Sequence, residues 1–183
     1  LIVPHTGQVC INSQPVCGCG KDCSVLSANT PLFPWMTVRH NIMFALKQYN
    51  KQNAARQADD IIERLALGEF SHKYPAALSS GMTKQAMLAR ALAVPSKVLL
   101  LDEPLAEIDP KKRLFYKQRL LETVANRTSL LVTHDIDEAI KLADRIYLLD
   151  KEEHLICQSW QRASNMGSEG EDAYICLKEE ILG

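Results

Sequence analysis

The chain changes its period of apolar and polar positions several times along its length. Between Lys51 and Ala66, the apolar residues Ala55, Ala58, Ile61, Ile62 and Leu65 recur at spacings of three and four, with Lys, Arg, Asp and Glu between them. That period predicts an amphipathic helix over 51–66. Thr37 is placed to cap a helix running to about Leu46. Thr30–Trp35 carries Pro31 and Pro34, which push the residues before them out of the helical region, so the segment reads as extended. Residues 7–12 and 23–26 read as short strands, with a Gly- and Pro-bearing turn over 15–22 between them. A helix over 83–93 follows Ser79, Ser80 and Gly81. From there the pattern alternates: a strand at Val98–Leu101, a charged helix at 110–126, a strand at Ser129–Thr133, a helix at 136–143 and a strand at 145–149. A last strand is expected in His154–Gln158 and a last helix over 174–182, and the Ser-, Gly- and Glu-rich stretch 163–172 reads as a mobile loop. Continuous apolar strands alternating with helices predict an α/β fold whose parallel sheet is covered on both faces.

Composition adds limits. The 183 residues are 46% hydrophobic and 23% charged, ordinary for one soluble globular domain. A net charge of -1 argues against nucleic acid as a partner, which would need a basic excess or stripe. Apolar runs such as Val98–Leu101 and Leu130–Val132 are too short to span a bilayer. The start of the chain lacks a basic region followed by a long apolar one, so no secretory signal is read there. The chain opens on Leu1 and not Met, which leads us to expect a processed product or a fragment. Four of the six cysteines (Cys10, Cys17, Cys19 and Cys23) lie close together, but their spacing matches neither paired zinc ligands nor the common iron–sulfur runs. Free thiols in a small β-rich region are the plainer reading, with a metal-binding module as the rival. The Asn126–Thr128 sequon is read as idle in a reducing compartment.

Three groups of residues carry candidate chemistry. The apolar strand Val98–Leu101 ends in Asp102, Glu103 and Pro104. In open α/β sheets ligands sit beyond the carboxyl ends of the strands. There Asp102 is placed to hold a hard cation such as Mg²⁺, and Glu103 to polarise an attacking water; a solvated acidic turn is the alternative. Thr133, His134 and Asp135 end the next apolar strand. If the two strands are parallel, His134 emerges on the same edge, where an imidazole can hydrogen-bond a phosphate or a water; a surface or capping histidine is the alternative. Ser79–Met82 precede a helix whose first N–H groups would form an anion site, or simply an ordinary serine cap.

In order and spacing, Leu78–Met82, Ala89–Leu92, Leu99–Pro104, Asp109 and Thr133–Ala139 resemble an ATP-binding cassette (ABC) ATPase, over nearly all of Gly7 to Leu149. The resemblance implies an α/β, P-loop NTPase-like ABC ATPase domain: a parallel-sheet core with a helical subdomain. Residues 38–95 would form the helical and signature part, 96–150 the catalytic core strands and 151–183 a C-terminal tail of a partial domain. It further implies that Ser79, Ser80, Gly81 and Met82 form the signature loop that closes over ATP held by the other subunit. Asp102 would be the Walker B ligand of Mg²⁺, Glu103 the catalytic base, Asp109 the D-loop aspartate and His134 the switch histidine. Leu32–Val38, Tyr74–Pro75, Asp135–Ala139 and Leu177–Leu182 are similar to the nitrate, sulfonate and taurine importer subgroup. The implied partners are a second copy or paired ATPase subunit, membrane permease subunits contacting the region around 38–75, and indirectly a substrate-binding protein. The implied location is peripheral, on the cytoplasmic face of the plasma (inner) membrane.

The sequence departs from the pattern at several points. Gly18-Cys19-Gly20-Lys21 looks like the end of a phosphate-cradling P-loop, but Pro15 stands in place of its first Gly and Asp22 in place of its Ser or Thr. No Walker A segment is therefore present in these residues, and the expectation is a chain starting just after it that does not turn over ATP by itself. Ala28 stands at the Q-loop glutamine position, Ser80 replaces the first signature Gly, and Glu107 occupies a position where a small residue is usual. The rival to the importer ATPase is a degenerate, non-catalytic ABC domain acting as a dimerising or regulatory module. ABC ATPases of DNA repair or translation fit less well, because 38–75 leaves no room for a long insertion.

Overall fold

The structure is a computed structural model, and it describes residues 6–16, 20–28, 30–124, 127–149 and 156–161. The expected loop over 163–172 and helix over 174–182 lie outside the described residues. The chain divides into two compact units, with the boundary between Leu130 and Leu131.

The first unit begins with a small hairpin. Strand β1 (Cys10–Ile11) pairs antiparallel with β2 (Gln14–Pro15). The strand expected over 7–12 is cut short by a turn at Asn12 and Ser13, whose φ values of 51° and 62° are left-handed; of the turn expected over 15–22, Lys21 and Asp22 do turn and 17–19 lie outside the described residues. Two left-handed central residues give a turn whose twist suits a tight hairpin. Strand β3 (Cys23–Leu26) then pairs in parallel with β4 (Val98–Asp102), Ser24 opposite Leu99 and Leu26 opposite Leu101. Strand β5 (Thr128–Val132) comes next in the sheet order β3-β4-β5, and the Thr128 N–H donates to the Lys97 carbonyl at 3.2 Å. Period-two alternation puts Ser24, Leu26, Leu99 and Leu101 on one buried face. Cys23, Val25, Val98 and Leu100, on the other face, are half-buried.

Three helices pack against one another in this unit: α1 (Val38–Lys47), α2 (Ala54–Arg64) and α3 (Ser80–Ala93). Helix α1 starts where the sequence predicts, because the Thr37 hydroxyl accepts the His40 N–H at 3.2 Å. Helix α2 is shorter than the predicted 51–66. At its start, Asn50 Oδ1 accepts the N–H groups of Gln52 and Asn53 at 3.1 and 3.3 Å, an Asx turn that delays the helix. At its end, Ala66 is left-handed (φ 54°), the Leu67 N–H reaches the Ile62 carbonyl and the Ala66 N–H the Glu63 carbonyl. That is a Schellman closure, unusual in using alanine. The delayed start also changes the buried stripe: Ala54, not Ala55, joins Ala58, Ile61 and Ile62 in the core. Of segment 30–35, expected to be extended, the end at Pro34 and Trp35 instead turns, the Met36 N–H donating to the Phe33 carbonyl at 3.1 Å.

Helix α3 stops at Val94, ahead of Pro95. It is fastened to the sheet by the Ser24 hydroxyl, which donates to the Ala91 carbonyl at 3.0 Å. Its C-terminal carbonyls are capped by Arg127, which donates to Val94 at 2.7 Å and to Leu92 at 3.4 Å. Burial lowers the guanidinium pKa of Arg127, and the nearby Arg64 charge adds to that. Helix α4 (Pro110–Val124) contributes Tyr116, whose hydroxyl lies 3.0 Å from the Leu65 carbonyl and 3.1 Å from the Gln85 side-chain amide. Burial raises the phenol pKa well above its usual value.

The second unit holds α5 (Ile136–Leu142) and an antiparallel pair, β6 (Arg145–Leu149) with β7 (Ile156–Gln161). No helix among the described residues is long and apolar enough to cross a membrane.

Candidate functional site

Strand β4 is buried at Leu99 and Leu101 and delivers an exposed Asp102 at its carboxyl end. Glu103 follows at φ 48°, in the left-handed region. For a residue with a Cβ this conformation costs about 1–2 kcal/mol. It re-aims the chain at once, so Glu103 leaves the strand line while Pro104 and Leu105 bury behind it. Left-handed non-glycine residues concentrate at functional sites, where surrounding packing holds them. The turn continues to Glu107, also left-handed at φ 64°, anchored by Leu105 and Ile108, which are 0% and 2% exposed. It closes on Asp109, whose Oδ1 accepts the Lys111 N–H at 2.8 Å and whose carbonyl accepts the Lys112 and Arg113 N–H groups. Asp109 is therefore the N-cap of α4, with Pro110 at the first helical position.

Ser79 caps α3, its hydroxyl accepting the Met82 N–H at 3.3 Å. The amides of Ser80 and Gly81 precede the first intrahelical bond and lie at the positive end of a fourteen-residue helix. Ser79 and Ser80 are exposed, and Gly81 and Met82 are half-buried. This helix start and the acidic turn touch directly: a Cβ built on Gly81 would stand 2.9 Å from the Glu107 carbonyl oxygen. The first unit thus brings the helix start at Gly81 against Glu107, in the turn that runs from Asp102 to Asp109. An exposed carboxylate at a strand end and a serine-capped helix start suit a hard cation and a phosphate respectively.

His134 belongs to the second unit, in the turn between β5 and α5, and is exposed. Asp135 caps α5, its Oδ1 accepting the Glu138 N–H at 3.0 Å. The Asp135 N–H donates to Thr133 Oγ1 at 3.1 Å, and that hydroxyl donates to Glu138 Oε2 at 3.3 Å.

Two residues given no role by the sequence shape the surroundings. Asn41 is fully buried; its Oδ1 accepts the Phe33 N–H at 2.7 Å, and its Nδ2 donates to the carbonyls of Phe33, Met36 and Thr37 at 3.0–3.2 Å. An asparagine on the apolar stripe of α1, one position before Ile42, was the available signal. Arg90 donates to the carbonyls of Thr30 and of Pro31 (2.8 Å for the latter) and lies 5.8 Å from the Phe33 ring centre. Burial lowers its pKa. Phe33 in turn contacts Trp35 and Phe44, at 5.5 and 5.2 Å between ring centres, and Trp35 is 69% exposed. α3 is thereby linked through Arg90 to an exposed aromatic face beside α1. Ala28, in the turn closed by Thr30 on Ser27, is exposed. Among the described residues no group of His, Cys, Asp and Glu could hold a metal by itself. Of the cysteine cluster, Cys10 is exposed and Cys23 half-buried, and Cys17 and Cys19 lie outside the described residues.

Comparison with known proteins identifies the family and the fold. The family model described as ABC transporter matches residues 1–106. The taurine import ATP-binding protein TauB of Mesorhizobium japonicum is 40% identical over 153 residues, covering 81% of this chain and 60% of TauB. The bicarbonate transport ATP-binding protein CmpC of Synechococcus elongatus is 37% identical over 155 residues, covering 81% of this chain and 23% of CmpC. The chain thus spans three fifths or less of the length of these relatives. Among solved structures, the ATP-binding cassette MJ0796, a dimer in a post-hydrolysis state bound to ADP and Pi, superposes with a TM-score of 0.76 at 23% identity, covering 87% of this chain and 75% of that one. The fold is that of an α/β ABC ATPase domain.

Proposed function

The chain belongs to the ABC transporter family, and from that premise we propose that it is part of the ATP-hydrolysing subunit of an importer for a small anion such as nitrate, sulfonate or taurine. The observation that carries the reading is Glu103, held left-handed directly after Asp102 at the end of buried β4. The import names of the relatives support the transport role. Retention of Asp102, Glu103 and His134 together favours an enzyme over a non-catalytic module.

Glu103 accepts a hydrogen bond from the attacking water and orients it, as a general base does. Asp102 would hold Mg²⁺, which would offset phosphate charge. The His134 imidazole hydrogen-bonds the transferring phosphate. The Ser80 and Gly81 amides, with the Ser79 hydroxyl, donate to the γ-phosphate of ATP held by a second copy, and Asp109 helps join the two copies across a two-fold interface. The aromatic face of Phe33, Trp35 and Phe44 meets the membrane permease, which receives cargo from a substrate-binding protein. The subunit then sits peripherally on the cytoplasmic face of the inner membrane.

In the intact protein, Glu103→Gln keeps ATP binding and lowers turnover by about 10²-fold or more. Unchanged turnover in that variant removes Glu103 from the base role.

A further inference from the structure

The turn carrying His134 is closed by a ring of hydrogen bonds. The Asp135 N–H donates to Thr133 Oγ1 at 3.1 Å; the same hydroxyl donates to Glu138 Oε2 at 3.3 Å; the Glu138 N–H donates to Asp135 Oδ1 at 3.0 Å. In an ordinary capping box the glutamate at the third helical position reaches back to the amide of the cap residue. Here the Thr133 hydroxyl bridges the two, accepting the Asp135 N–H and donating to the Glu138 carboxylate. The bridging residue is the one before His134, and the capped residue is the one after it. His134 is therefore held on both sides while its own side chain is exposed.

The placement of Glu138 points beyond helix capping. It is 3% exposed, and a carboxylate is costly to bury unless its lone pairs are used. A cap on a seven-residue helix needs no buried acid, since Asp135 already supplies the side-chain acceptor. One thing the buried carboxylate does is fix the orientation of the Thr133 hydroxyl. Its proton points at Glu138, so its lone pair faces the Asp135 N–H. That sets the backbone on either side of His134 before any phosphate arrives.

We propose that Thr133 and Glu138 are positioning residues that preorganise His134 for phosphate contact. The proposal rests on the reading of His134 as the phosphate-contacting histidine. Thr133→Val keeps the side chain's shape and removes both bonds of the bridge, whereas Thr133→Ser keeps the hydroxyl. The experiment measures steady-state ATP hydrolysis by the intact protein, its melting temperature and the NMR resonances of the His134 imidazole. Thr133→Val is expected to lower kcat about tenfold, with KM for ATP within about twofold, and to shift or broaden the His134 ring signals. Thr133→Ser restores both readouts, and Glu138→Ala reproduces the loss. A Thr133→Val protein with native kcat, or one whose kcat falls only with its melting temperature while the His134 signals stay unmoved, overturns the proposal. His134→Ala is assayed in parallel. Native turnover in His134→Ala overturns the histidine's role, and the proposal with it; lost turnover there beside native Thr133→Val overturns the relay alone.

Discussion

Gly81→Ala tests whether the helix start and the acidic turn are coupled. The added methyl group would stand 2.9 Å from the Glu107 carbonyl oxygen, where ordinary contact begins at 3.4 Å. The obstacle is backbone, so no side-chain rotation relieves it. The turn cannot easily retreat, because Leu105 and Ile108 bury on either side of it and Glu107 is already left-handed at φ 64°. Overpacking of this kind costs about 1–3 kcal/mol. The better helix propensity of alanine returns up to about 1 kcal/mol. With that full return the net loss is about 0–2 kcal/mol, which lowers the melting temperature by up to about 8 °C. Relief of the contact also moves the Ser80 and Gly81 amides, and misplacement by about 1 Å can cost about 10²-fold in rate. Melting of the intact protein and its ATP turnover are the two measurements. Adding Glu107→Gly frees the turn, since glycine pays nothing for a left-handed φ, and recovers part of both losses. Parental melting and turnover in Gly81→Ala would refute the close approach. A double variant no better than the single one would refute the role given to Glu107.

Three further outcomes follow from contacts elsewhere. Arg90→Ala leaves the Thr30 and Pro31 carbonyls without their guanidinium partner and costs about 2 kcal/mol in urea unfolding, and Arg90→Lys, with a single ammonium, restores only part of it; full recovery by lysine would contradict the forked geometry. Tyr116→Phe deprives the buried Leu65 carbonyl of its hydroxyl donor and costs about 1–3 kcal/mol, readable as a lower denaturation midpoint at unchanged slope. Asp59, hydrogen-bonded to Arg39 at 2.6 Å, has its pKa lowered chiefly by that bond. A lowered carboxylate pKa stabilises above the unfolded-state value and loses that contribution as pH falls through the folded one. Asp59→Asn therefore costs no more than about 1 kcal/mol at neutral pH and nothing in acid, the pair being exposed, and a loss that persists in acid counts against this assignment.

Much of the fold was legible in the chain because its signals are local. Thr37 and Ser79 cap helices where their hydroxyls can reach an amide three residues on. The strand Val98–Leu101 and the charged helix from Pro110 stand where continuous hydrophobicity and the alternating pattern predict them. The errors came where a side chain or a left-handed residue competed with the period. Asn50 shortened α2 and shifted its stripe to Ala54, and Asn12 with Ser13 ended the first strand early.

The sequence by itself determined the family pattern and the identity of the candidate groups, because Asp102, Glu103 and His134 follow apolar strands at readable spacing. Only the tertiary structure decided how they are held. The left-handed backbone at Glu103 and Glu107, the Gly81 approach to a carbonyl, the Asn41 and Arg90 anchors and the Thr133–Glu138 bridge all depend on backbone dihedrals and on which polar atom finds which partner once the core has closed. Period and spacing report which face of an element is apolar; they do not report where its neighbours' carbonyls point.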